Sequence, residues 1–406
     1  MNVIFIEPSF PYNQREFVRG LHAAGANVIG IGERPVEYLS GDVKEWLADY
    51  VQVRSVVHEP SLLEAVKAVQ KKCWVDRLEA TVEAHIMAAA SVREATGIPG
   101  TSVETAFLCR DKPAMKEALR KAGIPCAQST RAKTPADARK FAASVGYPLI
   151  IKPPAGAGAS GTYRVRNDDE LEAVIAESGL ADGHAVAVEE FIEGHEGYID
   201  TITINGKVAH EFITHYYPNV LEAMRERWIS PQMVTTNRID APGYKEVREL
   251  TRKVIGVLEI GTSATHMEWF YGPKGLKFSE IGCRPPGVGQ WDVYNAANDF
   301  DIYFEWACAL VHGKTHTKPS RRYSAGMIAL RPERDGRITG YSGVDEIGKR
   351  YGDCIVAAHL PDPGTPTQPI EGGYMANAWM RVRHPDYDRL RGILDEIGET
   401  VRVHAG

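Results

Sequence analysis

Apolar spacing in the first hundred residues switches repeatedly between the strand and helix patterns. Val3–Ile6 is a short apolar run, Gln14–Ala24 carries helical spacing, and Asn27–Gly32 is apolar again. Helical spacing returns over Ser61–Lys72 and Glu83–Thr96, with a short strand expected between them at Cys73–Val75. Strands alternating with helices predict a parallel sheet with helices on both faces. Sheets of this kind often hold a dinucleotide, but here the first strand runs into Glu7-Pro8-Ser9-Phe10-Pro11. That turn lacks the glycine fingerprint that lets a backbone approach a pyrophosphate, so no dinucleotide is expected there.

From about Arg110 the texture changes. Lys112–Ala122 and Pro135–Ser144 read as helices, followed by an apolar strand Leu149–Ile151 that ends in Lys152. Further strands are expected at Ala185–Phe191, Tyr198–Ile204, Lys207–Ile213, Ala264–Phe270 and Leu276–Ile281, with helices at Lys245–Leu258 and Phe300–His312. The segment after about Ser320 mixes short strands with Pro/Gly turns and ends on a helix near Tyr387–Gly398. A chain of 406 residues has room for two or three domains, and the texture changes divide it at 1–109, 110–319 and 320–406.

Composition narrows the class of function. With 44% hydrophobic and 25% charged residues the chain can build a large core, which excludes wholesale disorder. A net charge of −6 argues against a nucleic-acid partner. No apolar run approaches the ~18 residues of a membrane span, so no membrane partner is expected. Six cysteines without a Cys-x-x-Cys pair suit a reducing compartment, and the Met1–Glu7 start does not read as a signal peptide. A cytoplasmic location is the expectation.

Four stretches could carry chemistry. Lys152 leads into Pro-Pro-Ala-Gly156-Ala-Gly158-Ala-Ser160-Gly161-Thr162, a loop whose backbone N–H groups can approach an anion beside a lysine point charge. The plain alternative is a surface loop beside an ordinary lysine. Glu268 and Glu280 flank Tyr-Gly-Pro-Lys-Gly, a hairpin turn. A turn centred on 273 or 274 places both carboxylates on one sheet face together with His266, where a cation such as magnesium would offset their repulsion. A register shifted by one residue would split them. Arg284-Pro-Pro-Gly287-Val-Gly289 offers a planar fork for a carboxylate or phosphate. Glu189-Glu190-Phe191-Ile192-Glu193-Gly194-His195-Glu196 is a strand leaving a sheet through acidic residues.

In their order along the chain these pieces resemble the ATP-grasp superfamily. The resemblance is carried by Asp111-Lys112 opening a helix, strand–Lys152, the glycine loop, Glu189-Glu190-Phe-Ile, Gly194-x-Glu196, Glu268 and Glu280-x-x-x-Arg284. His266-x-Glu268, Arg284-Pro-Pro-Gly and the trailing segment are similar to the L-amino acid ligase and carboxylate–amine ligase group within it. The resemblance implies an α/β and α+β protein. It would comprise an N-terminal parallel pre-ATP-grasp domain, a two-lobed ATP-grasp domain with a lid subdomain at about 115–190, and a small C-terminal α+β subdomain. It also implies ATP and Mg2+ (or Mn2+) as cofactors, small-molecule carboxylate and amine substrates, and a homodimer.

The implied reaction forms an amide through an acylphosphate, releasing ADP and phosphate. A peptide or natural-product substrate is the runner-up, and a non-catalytic nucleotide-binding regulatory module a third reading. Lys112 and Lys152 would hold phosphates under the Gly156, Gly158, Ser160 and Gly161 lid. Glu189, the Glu190–Phe191–Ile192 backbone and Glu196 would take adenine and ribose. Glu268 and Glu280 would hold metal, and Arg284 would steady the acylphosphate. His266 would either face the amine as a base or brace Glu268. Many members carry Asn two residues after the second metal glutamate, where this chain has Gly282. His215–Val234 is expected to be a long connection beside the site, with Tyr216, Tyr217 and Trp228 walling an amino-acid pocket or simply packing.

Overall fold

The computed structural model describes residues 1–155, 161–287, 289–370 and 377–406. Gly156, Gly158 and Ser160 of the expected phosphate loop lie outside these residues. The N-terminal sheet is parallel, built from β1 (Asn2–Ile6), β2 (Asn27–Gly32), β3 (Leu47–Gln52) and β4 (Arg77–Glu79) in the order β3-β2-β1-β4. The strand expected at Cys73–Val75 is instead a loop. Asp76 ties itself to the start of β1 through its N–H to Asn2 O (2.9 Å) and its carboxylate to Asn2 N (2.7 Å), so pairing begins only at Arg77. β3 escaped the sequence reading because Leu-Ala-Asp-Tyr-Val-Gln lies on the sheet edge, half-exposed and without clean alternation.

A second, antiparallel sheet holds β5 (Ser129–Ala132), β6 (Leu149–Lys152), β7 (Tyr163–Val165) and β8 (Val186–Glu190), in the order β5-β8-β6-β7. Leu149, Ile151, Val165 and Val188 point into a core shared with Leu171 and Ile175 of the helix Asp168–Glu177. Side chains alternate along a strand. The register Ile150↔Glu189 therefore sends Ile150, Lys152 and Glu189 to the opposite face, away from that core.

The third sheet is the largest. Its strands are β9 (His195–Ile204), β10 (Lys207–Tyr217), β11 (Gln232–Thr235), β12 (Ser263–Gly272), β13 (Gly275–Gly282) and β14 (Ser324–Leu330), with two later ones. β15 (Ile338–Ser342) leaves to pair with the final strand, while β16 (Ile355–His359) and β17 (Ala378–His384) complete the order β13-β12-β9-β10-β11-β14-β17-β16. The sheet runs without interruption through the division expected near residue 320. The connection expected over His215–Val234 is shorter than its sequence suggested: β10 reaches Tyr217 and β11 starts at Gln232.

The first and last parts of this framework meet helix to helix. Gln14–Ala23 crosses Ile302–His312 where Gly20 lets the backbones approach, with Phe17 set among Trp291, Tyr303 and Trp306 at ring separations of 5.0, 5.0 and 5.1 Å.

Candidate active site

The two antiparallel sheets enclose a cavity of about 720 Å³. One wall starts at Asp111, whose carboxylate caps the helix Lys112–Lys121 by accepting from Ala114 N at 3.0 Å. The cap fixes the first turn, and the i, i+4 spacing puts Lys112 and Lys116 on the same inward face. Lys116 Nζ lies 2.5 Å from Glu189 Oε2, and Lys152 Nζ reaches the same oxygen at 3.0 Å. Burial alone would raise the Glu189 carboxyl, but the two lysines outweigh it and hold it down at about 2. Burial lowers Lys116 to about 8 despite that pairing. For Lys152 burial also opposes the charge, yet Glu189 and Glu280 prevail and raise its pKa.

The opposite wall is the β12–β13 hairpin. Gly272 pairs with Gly275, so the turn is centred between Pro273 and Lys274 and would place Glu268 opposite Ser279. A bulge intervenes: Trp269 pairs with Phe278, but Glu268 pairs with Glu280. The additional residue Ser279 thus brings Glu280 back to the face of Glu268. Sequence parity anticipated the shared face, but its turn position was off by half a residue and the bulge makes up the difference. Glu280 Oε2 is 3.2 Å from Lys112 Nζ and 3.9 Å from Lys152 Nζ. Burial works against ionisation of Glu280, and the lysines reverse that and lower its pKa.

Next to this pair, His266 Nδ1 meets Asp200 Oδ1 at 2.7 Å and Nε2 lies 3.6 Å from Glu268. Burial lowers the imidazole pKa, but Asp200 and Glu268 overcome it and lift it to about 9. A charged imidazole has no lone pair to act as a base, and Nε2 faces Glu268. Asp200 is held in turn by the Tyr294 hydroxyl. Glu196, two residues along the same face of β9 from Tyr198, accepts from Val220 N at 2.7 Å. Burial, reinforced by Glu268, pushes its carboxyl up to about 8. Arg284 follows β13 directly and lines the cavity.

Several of the expected contact groups are already engaged within the chain. Glu189, expected to face adenine and ribose, spends Oε2 on two lysines, and its buried Oε1 has no hydrogen-bond partner among the described residues. The N–H groups of Glu190 and Phe191 are already used by Gln128 O (2.8 Å) and Pro148 O (3.2 Å), and the Glu190 carboxylate is 2.6 Å from Lys274. Ile192 and Tyr216 line the cavity. Tyr217 does not: it packs beneath Arg391 and bonds Tyr387 at 2.9 Å. Trp228 is 80% exposed and is not among the described residues that line this cavity. Gly161 sits at φ +64°, a left-handed conformation that favours glycine. Lys116, Asp200 and Arg164, whose guanidinium lies 4.0 Å from the centre of the Phe191 ring, went unnoticed in the sequence. The i, i+4 spacing from Lys112 was the available signal for Lys116.

Residues 117–299 match the family model of the ATP-grasp domain. The chain is 27% identical over 249 residues to an L-arginine-specific L-amino acid ligase of Bacillus subtilis, covering 60% of this chain and 59% of that protein. It is 26% identical over 230 residues to the alanine–anticapsin ligase of Bacillus subtilis strain 168, covering 52% and 48%. The chain thus spans about half the length of the curated relatives it matches. In fold it is similar to the crystal structure of an L-amino acid ligase from Bacillus licheniformis, with a TM-score of 0.79 at 16% identity over 100% of this chain and 98% of that one. N5-carboxyaminoimidazole ribonucleotide synthetase from Thermotoga maritima gives 0.70 at 17% over 100% and 99%. The lysine-and-carboxylate cavity between two antiparallel sheets thus lies largely within a segment, residues 117–299, that matches the ATP-grasp domain, and the chain is similar to L-amino acid ligases in sequence and fold.

Proposed function

We propose that this chain is an ATP-dependent carboxylate–amine ligase that joins an amino acid or similar carboxylate to an amine, with ADP and phosphate as co-products. The observation that carries this reading is the convergence of Lys112, Lys152, Glu268, Glu280 and Arg284 on a single cavity. The residues fit the groups such a reaction needs. The orphaned, buried Oε1 of Glu189 is an acceptor for a nucleobase amino group. Glu268 and Glu280 present opposed oxygen donors, and among the described residues no third acidic, histidine or cysteine side chain joins them as a metal-binding group. Two carboxylates with the remaining positions left to phosphate and water suit magnesium, which when bound would neutralise phosphate charge.

The chain's own groups then have separate tasks. Lys112 and Lys152 exchange their contacts with Glu280 for phosphate oxygens. The substrate carboxylate oxygen attacks the γ-phosphorus, the bond to ADP breaks, and an acylphosphate results. The amine attacks the acyl carbon, the C–O bond to phosphate breaks and the departing phosphate takes the proton that nitrogen loses, while Arg284 holds the oxyanion that forms between those events. His266 keeps Glu268 oriented and takes no proton, being already charged. Val220 N–H fixes the Glu196 carboxyl, which carries its own proton at neutral pH and can donate to a ribose hydroxyl.

The test is phosphate release from ATP and magnesium across all pairs of the twenty amino acids. Release that requires particular pairs, with ADP as co-product, establishes the ligase and names its substrates. ATP binding without release from any pair rejects the amino-acid reading in favour of a peptide or other natural-product carboxylate, or of a non-catalytic nucleotide-binding module.

A further inference from the structure

Glu83 lies outside the sheets that build the cavity, in the short turn Glu83–His85 after β4 of the N-terminal sheet. Its Oε2 accepts from Arg284 Nε at 2.7 Å. Its Oε1 is 3.7 Å from Arg110 Nη1, which also donates to the Glu83 carbonyl. Arg284 Nη1 is committed to Pro285 O at 2.8 Å, while Nη2 has no partner among the described residues. Both side chains are largely buried, at 14% and 23% exposure. Arg284 and Lys112 line the same small cavity of about 20 Å³, so a guanidinium without an anionic partner would be repelled from the lysine.

Gly282 borders the contact. A Cβ at that position would lie 3.4 Å from Arg284 Cγ and 3.7 Å from Glu83 Oε2. A side chain at residue 282 would therefore start in van der Waals contact with the Arg284 side chain. Holding Nε and Nη1 fixes the plane of the guanidinium and leaves one edge free, and a charge-assisted hydrogen bond is strong enough to keep it there.

We infer that Glu83 is a positioning residue: it sets the plane of Arg284 so that Nη2 is presented to the acyl oxyanion, which makes the N-terminal sheet part of the catalytic apparatus. This rests on the ligase reading above. A tie that only joins the N-terminal sheet to the rest would lower stability without a selective effect on turnover.

The experiment compares Glu83→Gln, Glu83→Asp, Arg284→Lys and the double variant Glu83→Gln/Arg284→Lys with the full-length protein. Glu83→Gln is expected to lower kcat for amino-acid-dependent phosphate release roughly 10- to 100-fold with KM for ATP within about twofold. Glu83→Asp, which also serves if Glu83→Gln does not fold, should recover part of the loss. Adding Glu83→Gln to Arg284→Lys should cost no more than about another twofold, because the two act as a unit. A Glu83→Gln kcat within about twofold of the parent, or full additivity in the double variant, overturns the inference. A second readout separates this from the ligase reading. The Arg284 Nε–H resonance, identified by its loss in Arg284→Lys, should shift in Glu83→Gln even if no amino-acid pair releases phosphate; an unmoved resonance overturns the proposal on its own.

Discussion

Glu268 and Glu280 are direct cross-strand partners on β12 and β13. Like charges in that position normally destabilise a sheet. Here the pair is compensated from two sides, by Lys112 at 3.2 Å from Glu280 and by the His266 imidazolium at 3.6 Å from Glu268. The bulge at Ser279 creates the apposition; without it the tight turn would send Glu280 to the other face. Bulges recur next to active sites because they re-aim one side chain at little cost to the rest of the ladder.

Glu280→Ala tests the pair. The substitution leaves Glu268 braced and relieves the like-charge contact, so the fold should survive, with an unchanged circular-dichroism spectrum. Phosphate release should fall by roughly 100-fold or more, the scale on which removing a transition-state charge contact acts. Turnover within about tenfold of the parent would remove Glu280 from the metal-binding role.

The lysine pair on Glu189 makes an asymmetric prediction. Glu189→Ala strands Lys116 as a buried cation, leaves Lys152 only Glu280 at 3.9 Å, and should destabilise by about 3–5 kcal/mol. Lys116→Met leaves Glu189 still paired with Lys152 and fills the same space with apolar atoms, so it should cost less than half as much. Urea denaturation of the two variants decides; equal losses would mean that Lys152 does not compensate Glu189.

Much of this was legible in the sequence because it depends on chain order and strand parity. Asp111-Lys112 and Lys152 sit at element ends, Glu268 and Glu280 flank a Pro/Gly turn, and Arg284 follows the end of β13 by two residues. Lys116 was not legible, because a lysine on an amphipathic helix usually points to water and only the tertiary placement of Glu189 buries it. Asp200 was hidden in the same way within an apolar strand. That the Glu190 and Phe191 N–H groups are engaged was not legible either, because their bonds to Gln128 and Pro148 are both long-range. His215–Val234 misled because β11 is only four residues long.

His215 supplies a pH prediction away from the cavity's carboxylates. Its ring bonds His195 at 2.8 Å and the Tyr244 hydroxyl at 2.8 Å. Burial, with His195 and Arg391 adding to it, depresses its pKa to about 3. A base with a depressed folded pKa stabilises the fold above its unfolded value near 6.5, and that contribution is lost as pH falls toward 3. The loss should be on the order of 3 kcal/mol between pH 6.5 and pH 4. His215→Phe should flatten this part of the stability curve, read by urea denaturation at steps between pH 7 and 4; an unchanged slope would mean that His215 is protonated in the fold.

Two helical glycines should respond with opposite signs to the same substitution. At Gly256, in the exposed face of the helix Lys245–Val257, nothing lies within 4 Å of an added Cβ. Gly256→Ala should therefore gain about 0.5–1 kcal/mol from helix propensity alone. At Gly20 the same Cβ would stand 2.5 Å from Tyr303 O and 2.8 Å from Tyr303 C. These are backbone atoms of the facing helix, which cannot rotate aside as a side chain could, so separation of the two helices is the only relief. That shift would loosen Phe17 from Trp291, Tyr303 and Trp306, and overpacking of this kind costs about 1–3 kcal/mol, more than the propensity gain. Thermal melts should show Gly256→Ala above the parent and Gly20→Ala below it. A Gly20→Ala protein as stable as the parent would show that the contact between the N-terminal helix and Ile302–His312 is loose enough to yield, and that the N-terminal sheet, which carries Glu83, is not held rigidly against Arg284.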